Sequence, residues 1–279
     1  MGKKLELVKD DPWLEPYEYD INQRFGYFND KLKSIKKDFS SLKKFASADS
    51  YLGFNFDKKA GGWWYREWAP GADGLYLFGD FNNWEEGIPL KKQNNGVWEL
   101  FLKDPKQDRL YHESKVKVIV NANGESRDRI PAYIKRTFQD PETYDFSGQI
   151  WNPSKKFKWT DKGFDIKSIK EPIIYECHIG MAQEKEDVGT YLEFAENILP
   201  RIKKLGFNCI QLMAIKEHPY YGSFGYHVSN YFAPSSRFGT PEELKQLINT
   251  AHGMGIAVIM DAVYSHSVKN MAEGLNTFD

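Results

Sequence analysis

Cysteine is nearly absent, with only Cys177 and Cys209 in 279 residues. Two cysteines so placed make neither a disulfide framework nor a zinc site, and they point to a reducing, cytoplasmic-type compartment. An excess of charge is missing too. A formal net charge of −1 gives no sign of steering toward nucleic acid or a membrane surface. No stretch approaches the ~18 apolar residues that a membrane span needs. The N-terminal MGKKLELVKDDPW lacks the apolar region of a signal peptide. The six histidines show no metal-ligand spacing. The one Asn-x-Ser match, Asn152-Pro153-Ser154, is blocked by its proline.

Aromatic side chains are abundant instead: eight Trp, sixteen Tyr and nineteen Phe. Aromatics dominate core burial. They also make flat apolar platforms, and pyranose rings have flat apolar faces.

Three segments follow from the changes of period. Residues 1–47 form a helical segment. From Glu18 to Ala46 the apolar residues Ile21, Phe25, Phe28, Leu32, Ile35, Phe39, Leu42 and Phe45 step by three and four, which predicts a helix packed on its neighbour. Gly26 is its weak point. Residues 48–152 read as a β-sandwich, because short strands (YLGFNF, GGWWYREWAP, GLYLFGDFNNW, VWELFL, KVKVIVNAN) alternate with Gly, Asn and Asp turns. Leu75 to Phe78 should be buried on both faces.

Residues 153–279 alternate strand and helix. IIYECHIG (173–180), NCIQLMAI (208–215) and GIAVIMDAV (255–263) are continuous apolar runs, as in a covered parallel sheet. Thr190 can cap the first helix, which Pro200 should bend and Gly206 should end. Thr240-Pro241-Glu242-Glu243 is a capping box with proline at the first helical position. The alternation stops after the third strand, so the chain reads as the N-terminal part of a longer protein.

Strand ends in such sheets carry polar groups to an active face. The first ends near His178, the second near Glu217 and His218, the third at Asp261 to His266. Acid/base work on a glycosidic bond needs two flanking carboxyl groups, and Asp261 could be one, or it could order its loop by accepting backbone N–H bonds. His266 is either functional or surface and hydrogen-bonded filler. The loop YYGSFGYHVSNYFAPSSRFGT packs aromatics at the rim or offers Tyr226 to a sugar face, with Gly222 and Gly225 allowing close approach. In the sandwich, Trp68, Trp84 and Trp98 are candidate platforms beside the polar turn QNNG.

REWAPGADGLYLFGDFNNW, IIYECHIG, HPYYGSFGYHVSNYFAPSSRFGTPEELK and DAVYSHSVKN together resemble the N-terminal half of glycogen and starch branching enzymes of the eukaryotic type, in the α-amylase clan. The resemblance spans about residues 18–279. It implies a multidomain chain: an N-terminal helical segment, a β-sandwich carbohydrate-binding module, and the first three strands of a TIM (β/α)8 barrel. It implies an α-glucan polysaccharide, glycogen or starch, as partner, with no nucleic acid, membrane or cofactor. By the resemblance, Tyr226, Asp261 and His266 hold the sugar before the cleaved bond. The glucan surface would comprise Trp68, Ala69, Pro70, Trp84 and the Asn94, Asn95, Gly96, Val97 turn, with Asp38 and Phe39 added by the helical segment. Tyr264 stands where the family usually has histidine, and Cys177 where it commonly has serine. The implied reaction cleaves an α-1,4 bond through a covalent glucosyl-enzyme and transfers the chain to a 6-hydroxyl. Its nucleophile and acid/base match no residue here and are expected beyond Asp279. A debranching hydrolase of the same clan and a non-catalytic glucan-binding protein are the competing readings.

Overall fold

The three- and four-residue spacing that opens the chain winds into one long helix, α1 (Glu18–Phe39), in the computed structural model, which describes residues 5–279. Glu18 and Asp20 lie in its first turn and Lys36 and Lys37 in its last, as the helix dipole favours. Gly26 leaves it unbroken. The predicted continuation to Ala46 does not hold. Ser40 turns left-handed at φ 58°, its N–H closing on the Lys36 carbonyl at 3.1 Å. Ser41 then caps a separate turn, α2 (Leu42–Phe45), by accepting from the Lys44 N–H. Serine competes for backbone groups and favours caps over helix interiors. No residue of α1 is buried, and Asp38 and Phe39 are both exposed. The chain forms two compact units, one ending at Tyr51 and one spanning Leu52–Asp279.

In the second unit, strands β1 (Gly53–Asp57), β2 (Gly62–Trp68), β3 (Gly74–Gly79), β4 (Ile88–Pro89), β5 (Lys91–Lys92), β6 (Val97–Lys103), β7 (Lys115–Ala122), β8 (Glu125–Arg129), β9 (Thr137–Gln139) and β10 (Phe146–Gln149) build two sheets. One has the order β1-β2-β6-β5, the other β4-β3-β7-β10-β9 with β8 on β7. The period of two decides their faces. Trp63, Tyr65, Leu75, Leu77, Trp98 and Val116 point into one core. The expectation for β3 is met in part: Leu75, Leu77 and Phe78 are buried, whereas Tyr76 is half-buried.

The apolar runs of the last third become β11 (Ile174–Cys177), β12 (Cys209–Leu212) and β15 (Ala257–Met260), parallel in the order β11-β12-β15. Between them, β13 (Lys216–Glu217) and β14 (Asn230–Pro234) pair antiparallel. Thr190 caps as expected, accepting from Glu193 N while Glu193 accepts from Thr190 N. Pro200 has no N–H to give to Glu196, and the turn before it, Phe194–Ile198, relaxes to π geometry. Thr240 and Glu243 cap α3 (Pro241–Gly253) in the same reciprocal way. Its Leu244, Leu247 and Ala251 cover the sheet.

Sandwich and parallel sheet share buried polar contacts. Glu217 accepts from Thr137 Oγ1 on β9 and from Ser236 N at 2.8 Å. Arg136 reaches the Gly239 carbonyl, and Tyr133 stacks on Phe232 at 4.8 Å. Arg129, only 1% exposed, donates to the carbonyls of Gly274, Asn276 and Thr277 at 2.8–2.9 Å. These bonds fold the segment after β15 back onto the sandwich, where Phe278 enters the core. Replacing Arg129 by Met should leave three carbonyls without their charged donor and cost about 2–4 kcal/mol. Urea unfolding measures this, and limited proteolysis should show cleavage near Gly274 first.

Candidate functional site

At the end of β2 the chain leaves the sheet with Trp68 outward, because Trp63, Tyr65 and Glu67 occupy the inward phase. Trp68 pairs with Val97 at the start of β6, and Ala69 N donates to Gly96 O at 3.0 Å. The turn before β6 therefore lies against the Trp68–Pro70 loop. Gly96 sits at φ 78°, and a Cβ there would lie 2.8 Å from Pro70 Cβ. Only glycine permits that conformation and approach. Lys92 Nζ ties the loop down by donating to the carbonyls of Pro70 and Ala72 at 3.1 and 2.8 Å.

Trp68 is 54% exposed, and Pro70, Asn94 and Asn95 are exposed beside it. Ala69 and Val97 are buried, so they contribute backbone here and not side chain. Trp98 is not a platform. It is 6% exposed in the core, and its indole N–H donates to Ala69 O at 2.8 Å. Trp84 is 39% exposed but lies apart, on the turn after Gly79, with β3, about 20 Å long, between that turn and the Trp68 loop. Its indole N–H donates to Asp80 Oδ1 at 2.8 Å, and its ring meets Phe78 edge-on.

Sequence reasoning missed Glu67. This fully buried carboxyl accepts from Trp68 N at 3.1 Å, from Ala132 N at 2.8 Å and from Tyr65 OH at 3.1 Å. It fixes the root of the Trp68 loop to the turn that carries Tyr133. Its signal was available in the strand's alternation, which puts Glu67 in phase with Trp63 and Tyr65.

The strand ends form a second cluster. Asp261 continues β15 and donates its N–H to Leu212 O at 3.0 Å. Its Oδ2 accepts from Tyr226 OH at 2.9 Å. Burial, then the Asp261 carboxylate, raises the Tyr226 pKa, so the phenol stays protonated and donating. Gly225 makes this pairing possible. At φ 87° its absent Cβ would fall 1.6 Å from Ala214 O, so the loop can lie on the end of β12. His266 Nε2 faces Tyr226 O at 2.7 Å, and Tyr231 OH donates to His266 O at 2.7 Å. Tyr226, Asp261 and His266 thus come together as expected, whereas Tyr231 was not foreseen. Tyr264 stacks on Tyr231, with Lys216 Nζ 3.5 Å above its ring.

His178 and His218 lie outside this cluster. Both are buried, with Tyr221, Phe224 and Phe238 caging His178. Burial lowers both pKa values. Among the described residues no group of three or more His, Cys, Asp or Glu could hold a metal ion, and no helix is long and apolar enough to cross a membrane.

Burial raises the Glu67 pKa from 4.5 to about 7 against the opposing pull of its backbone donors. The folded state therefore keeps a proton that the unfolded chain gives up. The stabilisation is complete below pH 4.5 and fades as pH rises through about 7, on the order of 3 kcal/mol in all. Glu67→Gln should remove this slope. Urea unfolding of both proteins from pH 4 to 8 measures it, and parallel profiles would contradict it.

The region 51–134 matches the carbohydrate-binding module 48 family (Isoamylase N-terminal domain), and 185–274 matches the alpha amylase catalytic domain. The chain is 45% identical over 281 residues to a 1,4-alpha-glucan-branching enzyme of Dictyostelium discoideum, covering 98% of this chain and 40% of that protein. It is 44% identical to the chloroplastic/amyloplastic branching enzyme 2-2 of Arabidopsis thaliana, covering 100% of this chain and 34% of that one. With the Felis catus enzyme the identity is 42%, covering 98% and 39%. The chain thus spans about two-fifths of the length of these relatives, or less. Among solved structures, a group B Streptococcus pullulanase in complex with maltotetraose shares the fold, with a TM-score of 0.64 and 24% identity over 77% of this chain and 34% of that one. A Bacillus acidopullulyticus pullulanase does so at 0.62 and 23%, covering 80% and 30%. The chain thus carries a region similar to carbohydrate-binding module 48 followed by one similar to the start of an alpha-amylase catalytic domain, and along nearly its whole length it is similar to 1,4-alpha-glucan-branching enzymes.

Proposed function

We propose that the chain is the glucan-holding part of an enzyme that forms α-1,6 branches in glycogen or starch by cleaving and transferring α-1,4 chains. In this reading β11, β12 and β15 are the first three strands of a (β/α)8 barrel. The observation that carries the reading is the Tyr226–Asp261 hydrogen bond of 2.9 Å at the carboxyl ends of neighbouring parallel strands, where barrel enzymes build their sites. Tyr226 offers a flat ring to a sugar face, Asp261 a carboxylate to its hydroxyls, and His266 borders the same space. The polymer runs over the sandwich, its faces on Trp68 and Pro70 and its hydroxyls on Asn94 and Asn95. Trp84 is a second contact, and Asp38 and Phe39, exposed in the helical unit, are proposed as glucan contacts of that unit by itself. No metal or organic cofactor enters this scheme. The cytoplasm is the proposed setting, in keeping with two unpaired cysteines.

The chemistry assigned to the whole enzyme is a retaining double displacement in which a sugar hydroxyl replaces water. Tyr226, Asp261 and His266 are binding groups in it. The nucleophile and the acid/base are other carboxylates, so these 279 residues bind glucan without branching it.

Affinity electrophoresis through glycogen gels tests the binding half. Trp68→Ala should lose about tenfold in affinity through loss of its aromatic platform, and Trp84→Ala should lose less. Equal retardation of Trp68→Ala and the parent protein would remove Trp68 from the surface. Branch-linkage analysis of amylose incubated with the protein tests the other half. The expected count of new α-1,6 bonds is zero, and measurable branching would overturn the assignment of roles.

A further inference from the structure

A cavity of about 590 Å³ opens at the sandwich edge where β1 ends and the chain leaves β10. Its size suits a small ligand, for which pockets run roughly 300–1,000 Å³. Phe56 forms an apolar wall, and Lys58, Gln107, His112, Asn152 and Lys156 supply polar groups. None of the residues lining it is acidic. It is remote from the Trp68 patch, since Phe56 pairs with Trp63 near the start of β2 and Trp68 ends that strand.

Hydrogen bonds within the wall fix what remains for a ligand. Asn152 N donates to His112 Nδ1 at 3.2 Å, so the ring's own proton is on Nε2, a donor. The Asn152 side-chain amide donates to Gln107 Oε1, which leaves the Gln107 amide as a donor as well. The two lysines can only donate. Ser154 can do either.

This lining is preorganised. The buried Asp104 carboxylate accepts from Asp108 N and Leu110 N, both at 3.0 Å, and holds the turn in which Gln107 adopts φ 56°. His112 packs edge-on against Trp151 at 4.5 Å. A neutral sugar presents hydroxyls that must donate as well as accept, and this lining offers mostly donors, with the Asn152 amide oxygen and the Ser154 hydroxyl as its side-chain acceptors. Phosphate oxygens only accept, and they carry the charge that two ammonium groups would offset.

We propose that this cavity binds the phosphoester of a phosphorylated sugar, with the sugar ring against Phe56. The shared chemistry is a sugar monophosphate, whether a free hexose phosphate or a phosphorylated unit of a glucan chain.

Isothermal titration of the 279-residue protein tests this with glucose 6-phosphate, 6-phosphomaltotriose, inorganic phosphate and maltotriose. At least one of the two sugar phosphates should bind saturably, and more weakly as salt is added. The tighter of the two identifies the source. The Lys58→Ala/Lys156→Ala variant should lose about tenfold or more in affinity for the sugar phosphate, while its retardation in glycogen gels should match that of the parent protein. That last arm separates this site from the glucan surface. The proposal is overturned by any of three results: no saturable heat with either sugar phosphate, undiminished binding in the double alanine variant, or maltotriose binding as tightly as its phosphate. Inorganic phosphate matching the sugar phosphates would overturn the part assigned to the sugar ring.

Discussion

Glu217 is the constraint on which the candidate strand-end site rests. It is 1% exposed, and its two oxygens accept from Thr137 of the sandwich, His218 N, Ser235 Oγ and Ser236 N. A buried carboxylate is tolerated only when its lone pairs are filled. Filling them requires β9, β13 and the turn after β14 to meet at one point. The loop between β13 and β14 carries Tyr226, so the docking that satisfies Glu217 also limits where Tyr226 can lie. Arg129 acts in the same way on the other side of the site, holding the segment that follows His266.

Both candidate glucan contacts depend on groups behind them. Trp68 stands on a loop rooted in Glu67 and closed by Lys92 and Gly96. Tyr226 stands on a loop that Gly225 alone allows onto the end of β12. In each case a glycine removes a Cβ from a backbone contact and a buried carboxyl group fixes the neighbouring chain. Aromatics held this way lose little entropy on meeting a ligand, which is what preorganisation supplies.

Much of this was legible in the sequence because it is local. The cap at Thr190, the capping box at Thr240 and the disturbance at Pro200 depend on residues three or four apart. The parallel strands were visible as apolar runs. The pairing of Tyr226, Asp261 and His266 came from the family resemblance, not from spacing. What stayed hidden is long-range: the bonds of Glu67 to Ala132, of Glu217 to Thr137 and of Arg129 to Thr277 join residues 65 or more apart in the chain. Strand β8, ESRDR, carries four charged residues, so no hydrophobic pattern announced it. Ser40 and Ser41, read as part of one helix, end it: the left-handed Ser40 closes its N–H on the Lys36 carbonyl, and the Ser41 hydroxyl caps the next turn by accepting from Lys44 N.

In the proposed function Trp68 and the turn at Gly96 form one sugar-binding surface, while Trp98, two residues further on, belongs to the core. Titration of the ¹⁵N-labelled protein with maltoheptaose, followed by NMR, reads this directly. The Trp68 indole and the Gly96 amide should shift together and saturate, while the Trp98 indole, bonded to Ala69 O, should shift far less. Saturable binding that leaves Trp68 and Gly96 unmoved would contradict the account.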